Sequence, residues 1–383
     1  MITKSNIPAK ITRRALKNGK ISLPLLGFGM MRLPQKDGVI DGEALQKMVD
    51  NAMSCGCNYF DTAYVYHNGL SEKAVADALK KYPRDSYLLA DKMPMWMLEK
   101  PEQLEEIFQE QLNRCQCGYF DFYLMHALEK GVWERSKSLK VYEFLAAKKA
   151  EGKIRYLGFS FHDTPEVLQE IVDQKKWDFA QIQLNFLDWV IYRSREQYEI
   201  LTQADIPVIV MEPLRGGSLA TLTPKTCEML TAADPDRSVP SWGLRYVASL
   251  PNVLTVLSGM SNPAQVADNL KTFTNFIPLS VAERATLAQA LEIYKQTLAV
   301  PCTACRYCMP CPAGVAIPAI FGHYNQYKIN GNGWLFNSNY TTIPAESRAD
   351  KCIKCGKCAK HCPQHINTPE ELAKIALEAE HIQ

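Results

Sequence analysis

A chain of 383 residues exceeds one ordinary small domain and predicts either two or three domains, or one barrel of roughly 250–300 residues with a smaller appendage. Hydrophobic residues make up 47%, enough for a large core, and a net charge of +2 with scattered basic residues argues against a nucleic-acid or membrane-surface protein. No run of 18 apolar residues offers a membrane span, and the polar, basic stretch 1–20 has no apolar signal-peptide core.

Along the chain, residues 11–14 and 21–23 around Asn18-Gly19 predict a hairpin with an Asn-Gly turn. Short apolar runs then alternate with stretches of helical period. Strands are expected over 25–31, 59–63, 87–93 and 120–127, followed in turn by helices over 42–53, 71–82, 101–114 and 139–151. The next strands fall at 154–159, 179–185, 207–212 and 253–258, with helices at 165–174, 194–204, 239–249 and 263–273. Such alternation implies a parallel sheet with right-handed crossovers. Eight units over about 250 residues fit an α/β fold of the closed (β/α)8 TIM-barrel type. No GxGxxG turn follows an early strand, so a Rossmann domain has no support.

Residues 281–297 predict one more helix. From 301 to 365 the composition shifts to Cys, Pro, Gly and Asn with little periodicity, and an amphipathic helix over 369–380 closes the chain. The domains are expected to be 1–299 and 300–383. Eight of the thirteen cysteines crowd into the second region, leaving Cys55, Cys57, Cys115, Cys117 and Cys227 dispersed. Clustered cysteines without a secretory signal read as metal ligands in a reducing compartment, which makes the cytoplasm the expected location.

The clusters read Cys302-x2-Cys305-x2-Cys308-x2-Cys311-Pro312 and Cys352-x2-Cys355-x2-Cys358-x3-Cys362-Pro363. The second is the bacterial ferredoxin run, in which three thiolates hold one [4Fe–4S] cluster and the fourth cysteine, followed by proline, reaches the other cluster. Two such runs predict two clusters. One would use Cys302, Cys305, Cys308 and Cys362; the other Cys352, Cys355, Cys358 and Cys311. The first run is one residue short before Cys311, which leaves the exchange of fourth ligands open. Structural zinc is the alternative, but zinc ribbons divide their ligands into separated CxxC pairs.

Active sites of such barrels lie at the C-terminal ends of the strands. There the sequence places Asp61 and Tyr66 after the second strand, Lys92 on the third and His126 on the fourth. A tyrosine is a poor acid or base near neutrality; a lysine beside it favours phenolate, and an aspartate holds the lysine in place. A histidine would orient a carbonyl oxygen, so the four together suit proton donation to a carbonyl as hydride arrives. Taken singly, each is as readily structural: an ion pair, a loop aromatic, a core histidine.

The segment Phe60-Asp61-Thr62-Ala63-Tyr64-Val65-Tyr66, with Ser71-Glu72, resembles the aldo/keto reductase signature, and Lys92 and His126 fall where that family places the rest of its tetrad. Gly158-Phe159-Ser160, Gln181 to Asn185 and Ser258 through Asn269 extend the likeness over roughly residues 10–275. The resemblance implies an NAD(P)H-dependent oxidoreductase acting on a small carbonyl compound, of the subgroup with a C-terminal ferredoxin-like iron–sulfur domain. It implies Ser160 and Gln181 at the carboxamide, and Gly259, Met260, Ser261, Gln265, Asp268 and Asn269 at the adenosine end. Met211 takes the place of the ring-stacking aromatic, Phe161 that of an asparagine, and Gln265 that of an arginine on the 2′-phosphate. The resemblance implies NADPH, the absent arginine keeps NADH as the alternative, and a flavin in the barrel mouth stays open.

A nicotinamide passes two electrons as hydride, whereas a [4Fe–4S] cluster takes one. Cluster and barrel then either share electrons through a partner protein or work apart, with the clusters structural or sensing. The remaining alternative is an electron-transfer or redox-sensing protein whose barrel does little carbonyl reduction.

Overall fold

The computed structural model describes residues 10–16, 19, 21–297 and 299–382. The stretch 1–9 and Asn18 of the expected turn lie outside the described residues. Strands Arg13–Ala15 (β1) and Ser22–Pro24 (β2) pair antiparallel, one or two residues beyond the expected positions. Leu16 and Leu23 from this hairpin pack among Tyr59, Leu88, Phe122, Phe179, Ile209 and Leu254. Arg14 fastens it by donating to the carbonyls of Leu250 (3.0 Å), Ala248 (2.5 Å) and Val253.

Leu26–Gly29 (β3) opens the barrel, and a small ribbon of Gln35–Lys36 (β4) and Val39–Ile40 (β5) follows. The other barrel strands are Tyr59–Asp61 (β6), Leu88–Met93 (β7), Phe120–Leu128 (β8), Ile154–Phe161 (β9), Phe179–Gln183 (β10), Val208–Met211 (β11) and Val253–Ser258 (β12). They pair in parallel in chain order, and β12 closes on β3 through Val256↔Leu26 and Ser258↔Phe28. Closure buries most strand residues on both faces; β6, β7 and β12 are buried from end to end. Such strands read as continuous apolar runs because neither face meets water.

Close packing inside the barrel is sharpest at Gly158 on β9. A Cβ there would stand 2.5 Å from the Phe179 carbonyl oxygen and 2.7 Å from its ring. Gly158→Val should therefore cost about 1–3 kcal/mol or more through overpacking. Denaturant unfolding of the variant checks this, and an unchanged midpoint would contradict it.

The chain divides into two compact units, one of Met1–Pro213 with Gly243–Leu279 and one of Leu214–Trp242 with Ser280–Gln383. In the second unit the helices Pro224–Ala233 and Val281–Lys295 pack together, the latter started by a capping box of Ser280 and Glu283. Buried Arg215 donates to the Pro301 carbonyl at 3.0 Å.

The second unit is largely helical and irregular, as expected, with helices within 301–365. Ile317–Asn330 and Gly333–Thr341 are helices, because Ile317, Ile320, Phe321 and Tyr324 recur on one face and meet Phe336 and Tyr340. Gly331 ends the first helix with φ 66°, and Asn332 caps the second through Leu335 N–H at 2.9 Å. Lys357–Lys360 and Thr368–Ala379 complete the unit. No helix among the described residues is long and apolar enough to cross a membrane.

Candidate active site and cysteine module

Asp61 ends β6, Lys92 lies next to last in β7, and His126 stands near the end of β8; Tyr66 opens the turn Tyr66–Gly69 just past β6. All four are buried, Lys92 completely. Lys92 Nζ donates to Asp61 Oδ1 and to the Thr62 carbonyl, both at 2.6 Å. The same ammonium stands 4.9 Å from the centre of the Tyr66 ring. His126 meets that ring edge-on, with centroids 6.0 Å apart at 80°. The four expected residues thus converge at one mouth. An unpaired lysine at this depth would be strongly destabilising, so Asp61 and the Thr62 carbonyl are conditions for its burial.

Burial raises Asp61 above its ordinary carboxylate value, with Lys92 opposing the shift. Burial also holds Tyr66 well above its usual phenol value, reinforced by Asp61, Glu212 and Asp91 and opposed by Arg32. His126 is held well below the imidazole range by burial, then by Lys92 and His162. At neutral pH the site therefore presents a protonated phenol and a neutral imidazole. The pull toward phenolate expected from Lys92 does not prevail here. Desolvation of the ring dominates, and Asp61 already neutralises the ammonium.

A bulge aims the histidine. The β8–β9 register shifts between Met125 and Leu128, and Ala127 adopts φ 54°. Its N–H is taken by Ser160 Oγ at 2.7 Å, which ties β8 to the expected carboxamide residue on β9. Ser160 pairs across with Gln181. Gln181 donates weakly to Met211 Sδ at 3.7 Å, while its buried Oε1 has no hydrogen-bond partner among the described residues. An unsatisfied amide oxygen in a polar mouth fits a cofactor carboxamide N–H. Asn185, by contrast, is consumed locally by Leu187 N, Asp188 and the Glu212 carbonyl.

At the far end Gly259 is exposed and Met260 buried. Ser261 N–H donates to Gln265 Oε1 at 2.7 Å, and Asn269 donates to Ser258 Oγ at 2.8 Å. Asp268 is half-buried on the same helix, Pro263–Phe273.

Several residues escaped the sequence analysis. Trp96 follows β7 and lies 5.0 Å from His126, ring to ring. Arg32, just past β3, approaches Glu212 at 3.8 Å, and its stem lies where a side chain on Gly259 would stand. Behind Lys92, donor atoms of Glu72, Asp91 and Cys115 lie within 4.8 Å of one another. Asp91 accepts the Lys92 N–H at 2.8 Å, and Arg114 holds Glu72 at 2.9 Å. Burial, then Glu72, keeps Asp91 well above the usual carboxylate range, as two carboxyls sharing one proton would be. An acid inside an apolar strand was the available signal.

In the second unit none of the eight clustered cysteines is in a disulfide. Cys358 lies in the core formed by Val300, Ile320, Tyr324 and Leu372, and Cys302, Cys308, Cys311, Cys352 and Cys362 pack against it. Burial pushes Cys308 up to about 12, followed by the neighbouring Cys305, Cys302 and Cys362. Cys362 thus stands within electrostatic reach of the first run. The Ala304 N–H points at Cys302 Sγ at 3.3 Å. Thiols in two groups and in no disulfide, set in apolar surroundings with a backbone N–H aimed at sulfur, form a donor set that fits iron–sulfur clusters.

A closed parallel barrel with charged and aromatic groups at its mouth, joined to a cysteine-rich module, defines the class of a barrel oxidoreductase with an iron–sulfur domain. Residues 25–292 match the aldo/keto reductase family, and residues 301–366 match the 4Fe-4S dicluster domain. The chain belongs to the aldo/keto reductase family. L-galactose dehydrogenase of Arabidopsis thaliana is 25% identical over 304 residues, covering 74% of this chain and 94% of its own. NADH-specific methylglyoxal reductase of Escherichia coli is 25% identical over 326 residues, covering 71% and 97%. An aldo-keto reductase from Bacillus halodurans, in its holo form, superposes with a TM-score of 0.61 at 26% identity, covering 73% of this chain and 96% of its own.

Proposed function

We propose that the protein reduces a small carbonyl compound with NADPH or NADH, through a tetrad of Asp61, Tyr66, Lys92 and His126. The observation that carries this is Lys92 Nζ, bound to Asp61 at 2.6 Å while facing the Tyr66 ring at 4.9 Å beside His126. When bound, a nicotinamide supplies hydride and a [4Fe–4S] cluster exchanges single electrons. The chain's residues do the rest. His126, neutral, orients the carbonyl oxygen, and Tyr66 delivers its hydroxyl proton to that oxygen. Lys92 stabilises the phenolate left behind, and Asp61 keeps Lys92 charged and in place. Ser160, Gln181 and Met211 position the nicotinamide, and Gly259 to Asn269 the adenosine end. With Gln265 in place of an arginine, NADH and NADPH should differ little in affinity.

The reductase domain is taken as 1–299 and the cluster domain as 300–383, the latter holding two [4Fe–4S] clusters on the eight cysteines. Anaerobically prepared protein should contain about eight iron and eight sulfide per chain, and should bind both nicotinamides in fluorescence titrations. Stoichiometric zinc without sulfide would overturn the cluster assignment. Failure to bind either nucleotide would overturn the reductase assignment.

A further inference from the structure

The second cysteine run carries a charge pattern that the first lacks. A lysine immediately precedes each of its three closely spaced cysteines (Lys351-Cys352, Lys354-Cys355, Lys357-Cys358), and Lys360 continues the spacing. In the first run the same places hold Pro301, Ala304, Tyr307 and Pro310. All four lysines are exposed. Lys351 is paired with Asp350, the one acidic residue between 347 and 369. Lys354, Lys357 and Lys360 enter no ion pair among the described residues. Lysines on a solvated face are common, but here three of the four lack a carboxylate at ion-pair distance among the described residues, and their spacing is locked to the cysteines.

The same segment shows its thiol and an apolar side chain to solvent. Cys355 is exposed, unlike the other twelve cysteines. Ile353 beside it is 66% exposed. Lys354 at φ 52° and Gly356 at φ 74° turn the backbone on either side of Cys355. An exposed apolar side chain in one short segment with unpaired charges of one sign suits a charge-steered protein interface. Its position matters because electron transfer weakens steeply with distance. An exposed cysteine ligand is the shortest route between a cluster and another protein.

Resting on the assignment of clusters above, we propose that the face formed by Ile353, Cys355, Lys354, Lys357 and Lys360 docks an acidic one-electron carrier protein. Ile353 meets the apolar centre of the carrier, and the lysines meet carboxylates on its rim. The first cluster, with only Arg306 charged along its run, is not the docking site.

The test uses the full-length, anaerobically prepared protein and an acidic [2Fe–2S] ferredoxin as the probe. Affinity by calorimetry should fall steeply between about 0.05 and 0.5 M salt, where screening shortens from over ten to a few ångströms. Lys354→Glu/Lys357→Glu/Lys360→Glu should weaken binding about tenfold or more and flatten the salt dependence, with iron still at about eight per chain. Lys73→Glu/Lys100→Glu/Lys225→Glu, equal in charge but elsewhere, should change affinity less than about twofold. Ile353→Ser should weaken binding without altering the salt slope. Should the triple glutamate variant lose iron, Lys→Gln at the same three positions gives the same readout at smaller amplitude. An iron-loaded triple variant binding like the parent overturns the docking face, as does equal binding of a basic carrier such as cytochrome c. A parent protein without iron overturns the cluster assignment instead.

Discussion

Tyr66→Phe should lower turnover by about 100- to 10,000-fold while leaving nicotinamide affinity nearly unchanged. The phenylalanine ring keeps its packing against His126 and the Lys92 ammonium; only the hydroxyl is lost. If the hydroxyl serves the transition state alone, kcat and kcat/KM fall together. Lys92→Met should do similar damage by another route. It removes the charge that stabilises the phenolate left on Tyr66 and strands Asp61, which is buried with Lys92 opposing the rise of its carboxyl. That second effect adds a stability cost of about 3–5 kcal/mol, typical of breaking a buried pair from one side. The pair of variants thus separates chemistry from folding. Steady-state kinetics with either nicotinamide, alongside denaturant unfolding, reads both, and a fully active Tyr66→Phe enzyme would remove the tyrosine from the mechanism.

The pH dependence follows from the same geometry. Tyr66 is raised and His126 lowered, so the protonated phenol and the neutral imidazole coexist across the neutral range. Activity should be level there. It should fall at high pH as the phenol loses its proton.

The barrel, and the meeting of Asp61, Tyr66, Lys92 and His126 at its mouth, were legible in the sequence because closure leaves a strong imprint. Strands buried on both faces are mostly apolar, so Lys92 and His126 stand out as polar residues on apolar strands. What was hidden obeys weaker or longer-range rules. The ribbon of β4 and β5 rests on Asp37-Gly38, a turn with φ of 52° and 80°, but strands of two residues carry no periodicity. Helix Lys130–Ser138 buries only Trp133 and Ser136, too little to show an apolar face. Strand alternation turns Asp91 away from its neighbour Lys92 toward Glu72 and Cys115, whose contributions come from other elements. Arg32 and Glu212 lie far apart in sequence and meet only because β3 and β11 end at the same mouth. In the cysteine module the flanking Cys, Pro and Gly residues dilute the Ile317-to-Tyr324 spacing that marks a helix.

Replacing Cys358 with serine sets the two halves of the protein against each other. Cys358 is 8% exposed, inside the core of the second unit with Leu372 and Ile375, so its substitution should disable one cluster and loosen the packing around it. Iron should drop from about eight to about four per chain, with the absorbance of one cluster lost. Carbonyl reduction by added NADPH or NADH should survive, because Asp61, Tyr66, Lys92 and His126 belong to the other compact unit. Cys362→Ser extends the comparison. Cys362 stands within electrostatic reach of Cys308, so its loss should disturb the first cluster and leave the signal of Cys352, Cys355 and Cys358. Electron paramagnetic resonance of the reduced variants distinguishes the two cases. If Tyr66→Phe kept full activity while Cys358→Ser abolished it, the chemistry would not pass through the tetrad. The barrel would then serve as a scaffold for electron transfer, and the convergence of four buried polar side chains at its mouth would be structural.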